Sequence, residues 1–221
     1  MNAKLLVEPV QVVNRLHQVF GVTKEQLIEV VYQGVAGRNE CTRHHPASMA
    51  GTRCWGDATR ALRDLFVSSN SGWKSDSTDN IPSVVHDGRN LKISVQNTNG
   101  GTGLAWGHPQ PINDKGDGAK RAAFPNERGF QEFLESTLNN THPGSLGFWN
   151  LCIFCGADMV RAEVLCPILA EDGSFRGFHE RIALITDADD NGGLKLRRDI
   201  PEAPDGDAGF DISVTRKHAA Q

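Results

Sequence analysis

Five arginines and two adjacent histidines lie between residues 34 and 63, a segment we call the arginine-rich stretch. They are Arg38, Arg43, His44, His45, Arg53, Arg60 and Arg63. Guanidinium groups bind phosphate through paired, charge-assisted hydrogen bonds. The first twenty or so residues of the stretch have neither helical nor strand periodicity, and long irregular segments on a scaffold often carry binding groups. The pattern predicts an anion site for a nucleotide or a nucleic-acid backbone.

A glycine-rich segment, residues 97–103, follows a predicted strand and contains Gly100 and Gly101. Glycines let backbone N–H groups approach an anion, and Lys115 adds positive charge downstream. No nucleotide-binding glycine motif is matched, so a flexible turn is the competing interpretation. If this segment folds against the arginine-rich stretch, the two form one basic, glycine-lined cleft.

Cysteines and histidines suggest a second chemistry, a zinc site. Cys152 and Cys155 have the spacing of a zinc knuckle. Further ligands could come from Cys41, His45 and Cys54. The competing interpretation is a core strand, because the run around Cys152 is almost continuously apolar and cysteine is often buried. We therefore expect core thiols, with no metal and no cofactor.

Residues 142–155 place a histidine, an asparagine and two cysteines close together in the sequence. This set, His142, Asn150, Cys152 and Cys155, resembles part of the HNH nuclease motif. The residue pair that opens that motif is missing because Thr141 precedes His142, and the closing residue is missing as well. A partial motif of this kind is a weak indication of nuclease chemistry.

The tripeptide Ser94-Val95-Gln96 lies on a predicted strand, in a chain whose elements run helix, strands, helix, strand. This order is similar to that of the PD-(D/E)xK nucleases, in which an acidic residue and an E-x-K tripeptide hold a divalent metal. Here the carboxylate and the lysine of the tripeptide are absent, and metal-assisted cleavage needs carboxylates. The resemblance implies a metal-dependent nuclease or phosphodiesterase, or a binding protein that keeps the shape.

Two glutamates, Glu163 and Glu180, lie on predicted strands late in the chain. They could face each other as a general acid–base pair. Because each alternates with apolar residues, we expect instead that both side chains point to solvent. The sequence shows no serine-nucleophile motif, and a thiol nucleophile at Cys41 or Cys54 remains open.

The elements that must position these residues follow from periodicity and end signals. Helices are predicted over residues 10–20, 55–69 and 127–138. A further helix is predicted to begin at a capping box of Thr23 and Gln26 and to end at Gly34 and Gly37. Strands are predicted at 81–86, 91–96, 148–155, 160–169 and 175–186, the second with one buried face. This order predicts an α+β fold, with N-terminal helices packed on a mixed or antiparallel sheet of about five strands.

The composition of the 221 residues, 38% of them hydrophobic, is enough for one domain core. We expect a single domain over residues 1–190 and an extended polar tail over 191–221. The net charge of −4 requires any nucleic-acid contact to be a local patch. Neither a secretory signal nor a membrane-spanning run is visible, so we expect a cytoplasmic protein with no membrane partner.

The leading hypothesis is a cytoplasmic binding protein for a phosphate-bearing ligand, either a small nucleotide or a nucleic acid. The first alternative is a metal-dependent nuclease or phosphodiesterase. The second is a protein-interaction or inhibitor module whose tryptophans and arginines contact a partner protein. Clustered carboxylates in a cleft favour the enzyme, whereas an exposed aromatic and arginine surface favours the partner protein.

Overall fold

A computed structural model describes residues 3–68, 72–113, 116–123, 126, 147–189, 196 and 200. Within these residues the chain forms four α-helices and seven strands. The helices are α1 (Pro9–Phe20), α2 (Lys24–Asn39), α3 (Met49–Ser68) and α4 (Asp117–Ala123). The strands are β1 (Leu5–Leu6), β2 (Lys74–Asp76), β3 (Ser83–His86), β4 (Leu91–Asn97), β5 (Gly147–Cys155), β6 (Val160–Leu169) and β7 (Phe175–Ile185).

The strands form one mixed sheet in the order β1-β7-β6-β5-β4-β3-β2. Strands β2, β3 and β4 form an antiparallel meander, β5 is parallel to β4, and β5, β6 and β7 are again antiparallel. The α+β class with a mixed sheet is confirmed, but the sheet has seven strands rather than about five. The two additional strands, β1 and β2, are edge strands of two and three residues, too short to show a periodicity.

The first two helices begin and end partly as expected. Gly21 ends α1 in the left-handed conformation, and Thr23 and Gln26 form the predicted capping box of α2. The predicted end of α2 at Gly34 and Gly37 is wrong, because the helix continues to Asn39. A Cβ at Gly34 would lie 2.7 Å from a backbone oxygen of α3, and one at Gly37 would collide with a carboxylate. These glycines therefore allow two helices to pack closely.

Helix α3 begins at Met49, six residues before the predicted start at Trp55. Its buried side in the first turns is made of small residues, Ala50, Cys54 and Ala58. Small side chains give a weak hydrophobic periodicity, which is why the sequence did not reveal the start of this helix. The second half of the arginine-rich stretch is therefore helical.

Helices α1–α3 cover one face of the sheet and share its main core. Leu16 of α1 and Leu62 of α3 belong to the same buried cluster as Ile93 of β4 and Trp149 of β5. The prediction that Phe148–Cys155 is an interior strand with a buried Trp149 is confirmed, since β5 lies between β4 and β6 and only 2% of Trp149 is exposed. Burial on both faces explains its continuous apolar run.

The opposite face of β4 is also buried, contrary to the expectation of one solvent-facing side. Lys92, Ser94 and Gln96 are all less than one-tenth exposed. The Ser94 hydroxyl lies 3.1 Å from the Asn150 side-chain oxygen on β5, to which it donates. A polar face can be buried only where its groups find partners. Alternation in the sequence cannot show whether a later segment covers the second face.

Several predictions fall on residues that the structure does not describe. The helix predicted at 127–138, His142 and Lys115 lie outside the described residues, as does most of the predicted tail over 191–221. Within that tail, Leu196 packs against the main core and Ile200 is buried beside Cys41. In the described part of the chain, no helix is long and apolar enough to cross a membrane.

The position of Ile153 in β5 gives a direct test of the core. Ile153 is 1% exposed, so Ile153→Ala should lower the free energy of unfolding by about 2–5 kcal/mol through lost burial and a cavity. The matched control is Ile112→Ala at a side chain that is 45% exposed, which should change stability by less than about 0.5 kcal/mol. Urea denaturation measures both. Equal effects would contradict the placement of β5 in the core.

Candidate functional site

Two of the five arginines in the arginine-rich stretch are held by carboxylates at the surface. Arg53 forms an ion pair with Glu40, and its Nε lies 3.4 Å from Oδ2 of Asp57. Arg60 Nη1 lies 2.8 Å from Oδ2 of Asp64, one helical turn along α3. Such exposed pairs contribute little stability, but they neutralise two of the positive charges from which the anion site was predicted.

Arg63 is hydrogen-bonded to other parts of the protein. Its Nη2 donates to the carbonyl oxygen of Asp76 at 2.6 Å and to the hydroxyl of Ser77 at 2.9 Å. These bonds fasten α3 to the end of β2, so the guanidinium is largely occupied by the protein itself. Arg60 and Arg63 are also separated from the start of α3 by three to four helical turns, roughly 17–21 Å along the axis.

Arg38 lies at the carboxyl end of α2 and is only 7% exposed. Its Nη1 has no hydrogen-bond partner among the described residues. Its charge acts on two thiols, Cys54 on α3 and Cys155 at the end of β5. A buried cation with an unused donor is an unusual feature, because buried polar groups are normally hydrogen-bonded.

Residues 42–45 form an ordered turn that we call the basic turn. The backbone N–H of His45 donates to the carbonyl oxygen of Thr42 at 2.9 Å, and the N–H of Thr42 donates to Nδ1 of His45 at 3.0 Å. Since Nδ1 accepts, the proton of the neutral ring is on Nε2. Arg43, His44 and His45 are all exposed, and Arg43 has no carboxylate partner in the described part of the chain.

The start of α3 lies shortly after the basic turn. The amino end of a helix carries partial positive charge, and the first turn of this 20-residue helix contains no acidic residue to offset it. Two sources of positive potential, the Arg43 side chain and the end of α3, therefore occur within six residues of sequence. Anions are stabilised by this combination.

The glycine-rich segment forms a turn, as the competing interpretation predicts, and this turn is hydrogen-bonded to the rest of the protein. The N–H of Gly101 donates to the side-chain oxygen of Asn99 at 3.0 Å. The carbonyl oxygen of Gly100 accepts from Nη2 of Arg161 at 2.7 Å. A Cβ at Gly101 would collide with the backbone of His108. The glycines thus permit backbone packing, and their proposed contact with a ligand stays a prediction.

The start of α3 is bonded to Asn97, which ends β4 and begins the glycine-rich segment. The side-chain nitrogen of Asn97, the last residue of β4, donates to the carbonyl oxygen of Gly51 at 2.8 Å. The carboxyl ends of the parallel strands β4 and β5 are therefore next to the first turn of α3. This bond joins only the first residue of the glycine-rich segment to the arginine-rich stretch, since Gly100 and Gly101 contact Arg161 and His108 instead, and Lys115 lies outside the described residues.

A buried ion pair between Glu163 and Arg181 was missed by the sequence reasoning. Arg181 donates to both carboxylate oxygens, from Nε at 2.8 Å and from Nη2 at 2.9 Å, and the Gly103 N–H adds a third bond at 3.1 Å. Burial raises the pKa of Glu163, while Arg181 and this N–H oppose the shift. The expectation that Glu163 points to solvent is wrong, because the second face of β6 is covered.

Glu163 and Glu180 do not form an acid–base pair with each other. Glu180 instead accepts two hydrogen bonds from Arg15 of α1, at 2.6 and 2.7 Å. A cavity of about 350 Å³ adjoins this pair and is lined by Ala3, Lys4, Leu6, Arg15, His179, Glu180 and Arg181. None of the residues predicted for the anion site lines this cavity, although Glu180 of the predicted acid–base pair does.

Arg181 also fixes an exposed tryptophan. Its Nη1 and Nη2 donate to the carbonyl oxygens of Gly107 and Leu104 at 2.9 and 3.2 Å. These two residues close a tight turn through the bond from Gly107 N–H to Leu104 oxygen, and the turn presents Trp106 with 84% of its surface exposed. An exposed tryptophan on an ordered turn is typical of contact surfaces.

The hairpin that resembles the PD-(D/E)xK arrangement carries an ion pair at its base. Lys92 Nζ lies 2.8 Å from Oδ2 of Asp76. Burial alone would raise the pKa of Asp76, but hydrogen bonds from Lys92 and Thr78 outweigh it and lower the pKa to about 2. In the described residues, no three His, Cys, Asp or Glu side chains are grouped so that they could hold a metal ion.

The zinc-knuckle alternative also fails on geometry. Cys152 and Cys155 are three residues apart on one strand, so their side chains leave opposite faces of the sheet. Cys152 belongs to the small cluster with Phe148 and Leu165, whereas Cys155 packs against the main core. One ion cannot bind both thiols in this strand.

Comparisons with known proteins give no indication of function. No protein-family model matches the chain, and no curated protein and no solved structure is significantly similar to it. Function must therefore be argued from the side chains and their surroundings. The basic turn and the junction between α3 and β4 are the places where groups capable of chemistry come together.

The Asp76–Lys92 pair predicts a specific pH dependence. A carboxylate whose folded pKa is lowered stabilises the fold above its unfolded pKa of about 3.9, and that stabilisation is lost as the pH falls towards about 2. Asp76→Asn should therefore lower stability at neutral pH and weaken the loss of stability between about pH 5 and pH 2. Thermal unfolding across this range measures it. Asp64→Asn, in an exposed pair, is the control, and an identical profile for both variants would refute the assignment.

Proposed function

We propose that this protein binds a phosphate-bearing ligand, a nucleotide or a nucleic acid, in the cytoplasm through the basic turn. The observation that carries the proposal is the state of Arg43. Its guanidinium is exposed on an ordered turn and has no carboxylate partner among the described residues. The other four arginines of the stretch are paired with protein groups or buried.

An ordered turn binds more tightly than a mobile one because less conformational entropy is lost on binding. The mutual bonds between Thr42 and His45 hold residues 42–45 in one arrangement. The ring N–H of His45 at Nε2 is a donor available to a phosphate oxygen, and the Arg43 fork can bind two oxygens at once. The same turn precedes the positively charged end of α3, which adds long-range attraction for an anion.

The two alternatives differ in what they require. A metal-dependent nuclease requires grouped carboxylates, which the described residues do not contain. A protein-interaction module requires an exposed contact surface, and Trp106 supplies one exposed aromatic side chain for it. The interaction alternative is therefore the stronger of the two and takes the place of ligand binding if no anion binds.

The test is a titration with a fluorescent single-stranded oligonucleotide, competed by mononucleotides, at low and moderate salt. Arg43→Ala should weaken binding by at least about tenfold, the size expected for a charge-assisted hydrogen bond. Arg43→Lys should weaken it nearly as much, because lysine keeps the charge but loses the fork. Arg60→Ala is the matched control, since Arg60 is exposed but paired with Asp64.

Each outcome decides between the hypotheses. Salt-sensitive binding that is lost in Arg43→Ala and kept in Arg60→Ala supports the proposal. Binding that is equally affected by both changes would show only general attraction to positive charge. If no oligonucleotide or mononucleotide binds, the proposal is refuted and the protein-interaction alternative is favoured. Shortening of the oligonucleotide in the presence of Mg²⁺ would instead favour the nuclease.

A further inference from the structure

Two cysteines distant in sequence meet where α3 crosses the end of the sheet. The side chain of Asn97 is bonded to Gly51 in the first turn of α3, and Asn97 is the register partner of Ile153. Cys54 follows Gly51 by about one helical turn of α3. Cys155 follows Ile153 by two residues and therefore lies on the same face of β5. Both therefore point into the core between α3 and the sheet.

The two thiols differ in access. Cys54 is 2% exposed and is tightly enclosed, since a Cβ at Gly34 would lie 3.4 Å from its sulfur. Cys155 is only partly buried and ends the strand beside Gly156. Cys155 is therefore the more exposed residue of the two, although its side chain packs against the main core.

The surroundings of the pair favour a thiolate at Cys155. A hydrogen bond from the Cys54 thiol and the positive charge of Arg38 lower the pKa of Cys155, against the opposing effect of burial. The same hydrogen bond, burial and the nearby Asp57 carboxylate raise the pKa of Cys54. Arg38 is the cation that faces the two thiols, and its buried Nη1 is a further donor that has no partner among the described residues. Nucleophilic cysteines occur in electropositive, partly accessible surroundings of this kind.

We propose that Cys155 is a peroxide-reactive thiol and that Cys54 is its resolving partner. The Cys155 thiolate attacks one oxygen of hydrogen peroxide, the O–O bond breaks, and hydroxide leaves while the sulfur becomes a sulfenic acid. The sulfur of Cys54 then attacks the Cys155 sulfur, the S–O bond breaks, and the released hydroxide takes the Cys54 proton to form water. The peroxide is reduced by two electrons, and the two thiols become one disulfide.

The remaining cysteines lack this combination. Cys41, Cys152 and Cys166 are each 2% exposed or less. Cys152 faces the other side of the sheet from Cys155, and burial raises the pKa of Cys166 well above its ordinary value. Oxidation by peroxide should therefore select Cys155 and join it to Cys54, which would tie the first turns of α3 to the end of β5.

The test is treatment of the reduced, folded full-length chain with hydrogen peroxide, followed by intact mass and peptide mapping. The expected result is a loss of two hydrogen atoms and a single crosslink between the peptides that contain Cys54 and Cys155. In Cys54→Ser the reaction should stop at the sulfenic acid of Cys155, which dimedone traps. Cys152→Ser is the matched control and should form the same crosslink as the wild type.

A second readout does not depend on the disulfide. Arg38→Gln removes the cation and should slow alkylation of Cys155 by iodoacetamide several-fold at neutral pH, while Arg38→Lys should restore much of the rate. Circular dichroism establishes that each variant is folded. The proposal is overturned if peroxide leaves all five thiols intact, if the crosslink joins other cysteines, or if Arg38→Gln alkylates Cys155 at the wild-type rate.

Discussion

The ion pair between Glu163 and Arg181 is the constraint on which much of this structure depends. A carboxylate that is 0% exposed must be paired and fully hydrogen-bonded, because an uncompensated buried charge destabilises a fold by several kcal/mol. Arg181 meets this requirement and still has donors left for the carbonyl oxygens of Leu104 and Gly107. The pair therefore holds the segment 97–112 against the sheet, and the hydrogen bond from Gly103 N–H to Glu163 fastens it further. That segment lies on the side of the sheet opposite to the helices.

The proposed anion site depends on α3, which connects the basic turn to the sheet. Its first turn is bonded to the end of β4, and Arg63 bonds its far half to the end of β2. Within the arginine-rich stretch, Arg63 therefore helps to hold α3 in place, whereas the guanidinium of Arg43 has no carboxylate partner among the described residues. A fixed α3 also sets the contact between Cys54 and Cys155, so the proposed anion site and the proposed thiol pair share one support.

Local pattern was sufficient for the elements that are long or have clear end signals. The capping box at Thr23 and the apolar run of β5 identified their elements correctly, and the α+β class followed from their order. The predictions that failed depend on contacts between residues that are distant in sequence. The burial of Glu163 and of Ser94 requires knowledge of what covers the second face of the sheet. The pairing of Arg53 with Glu40 likewise requires the packing of α2 on α3, so charge density alone overstated the number of free cations.

The most direct test of this account is amide hydrogen exchange in Glu163→Gln compared with the wild type, with the exposed Glu40→Gln as the control. If the ion pair holds the segment 97–112, the amides of Gly101 and Gly103 should lose protection by roughly tenfold or more relative to that of Leu151 in β5. The Glu40 variant should leave these ratios unchanged. Unaltered protection of Gly101 and Gly103 in Glu163→Gln, with the core still folded, would contradict the central role of the buried pair.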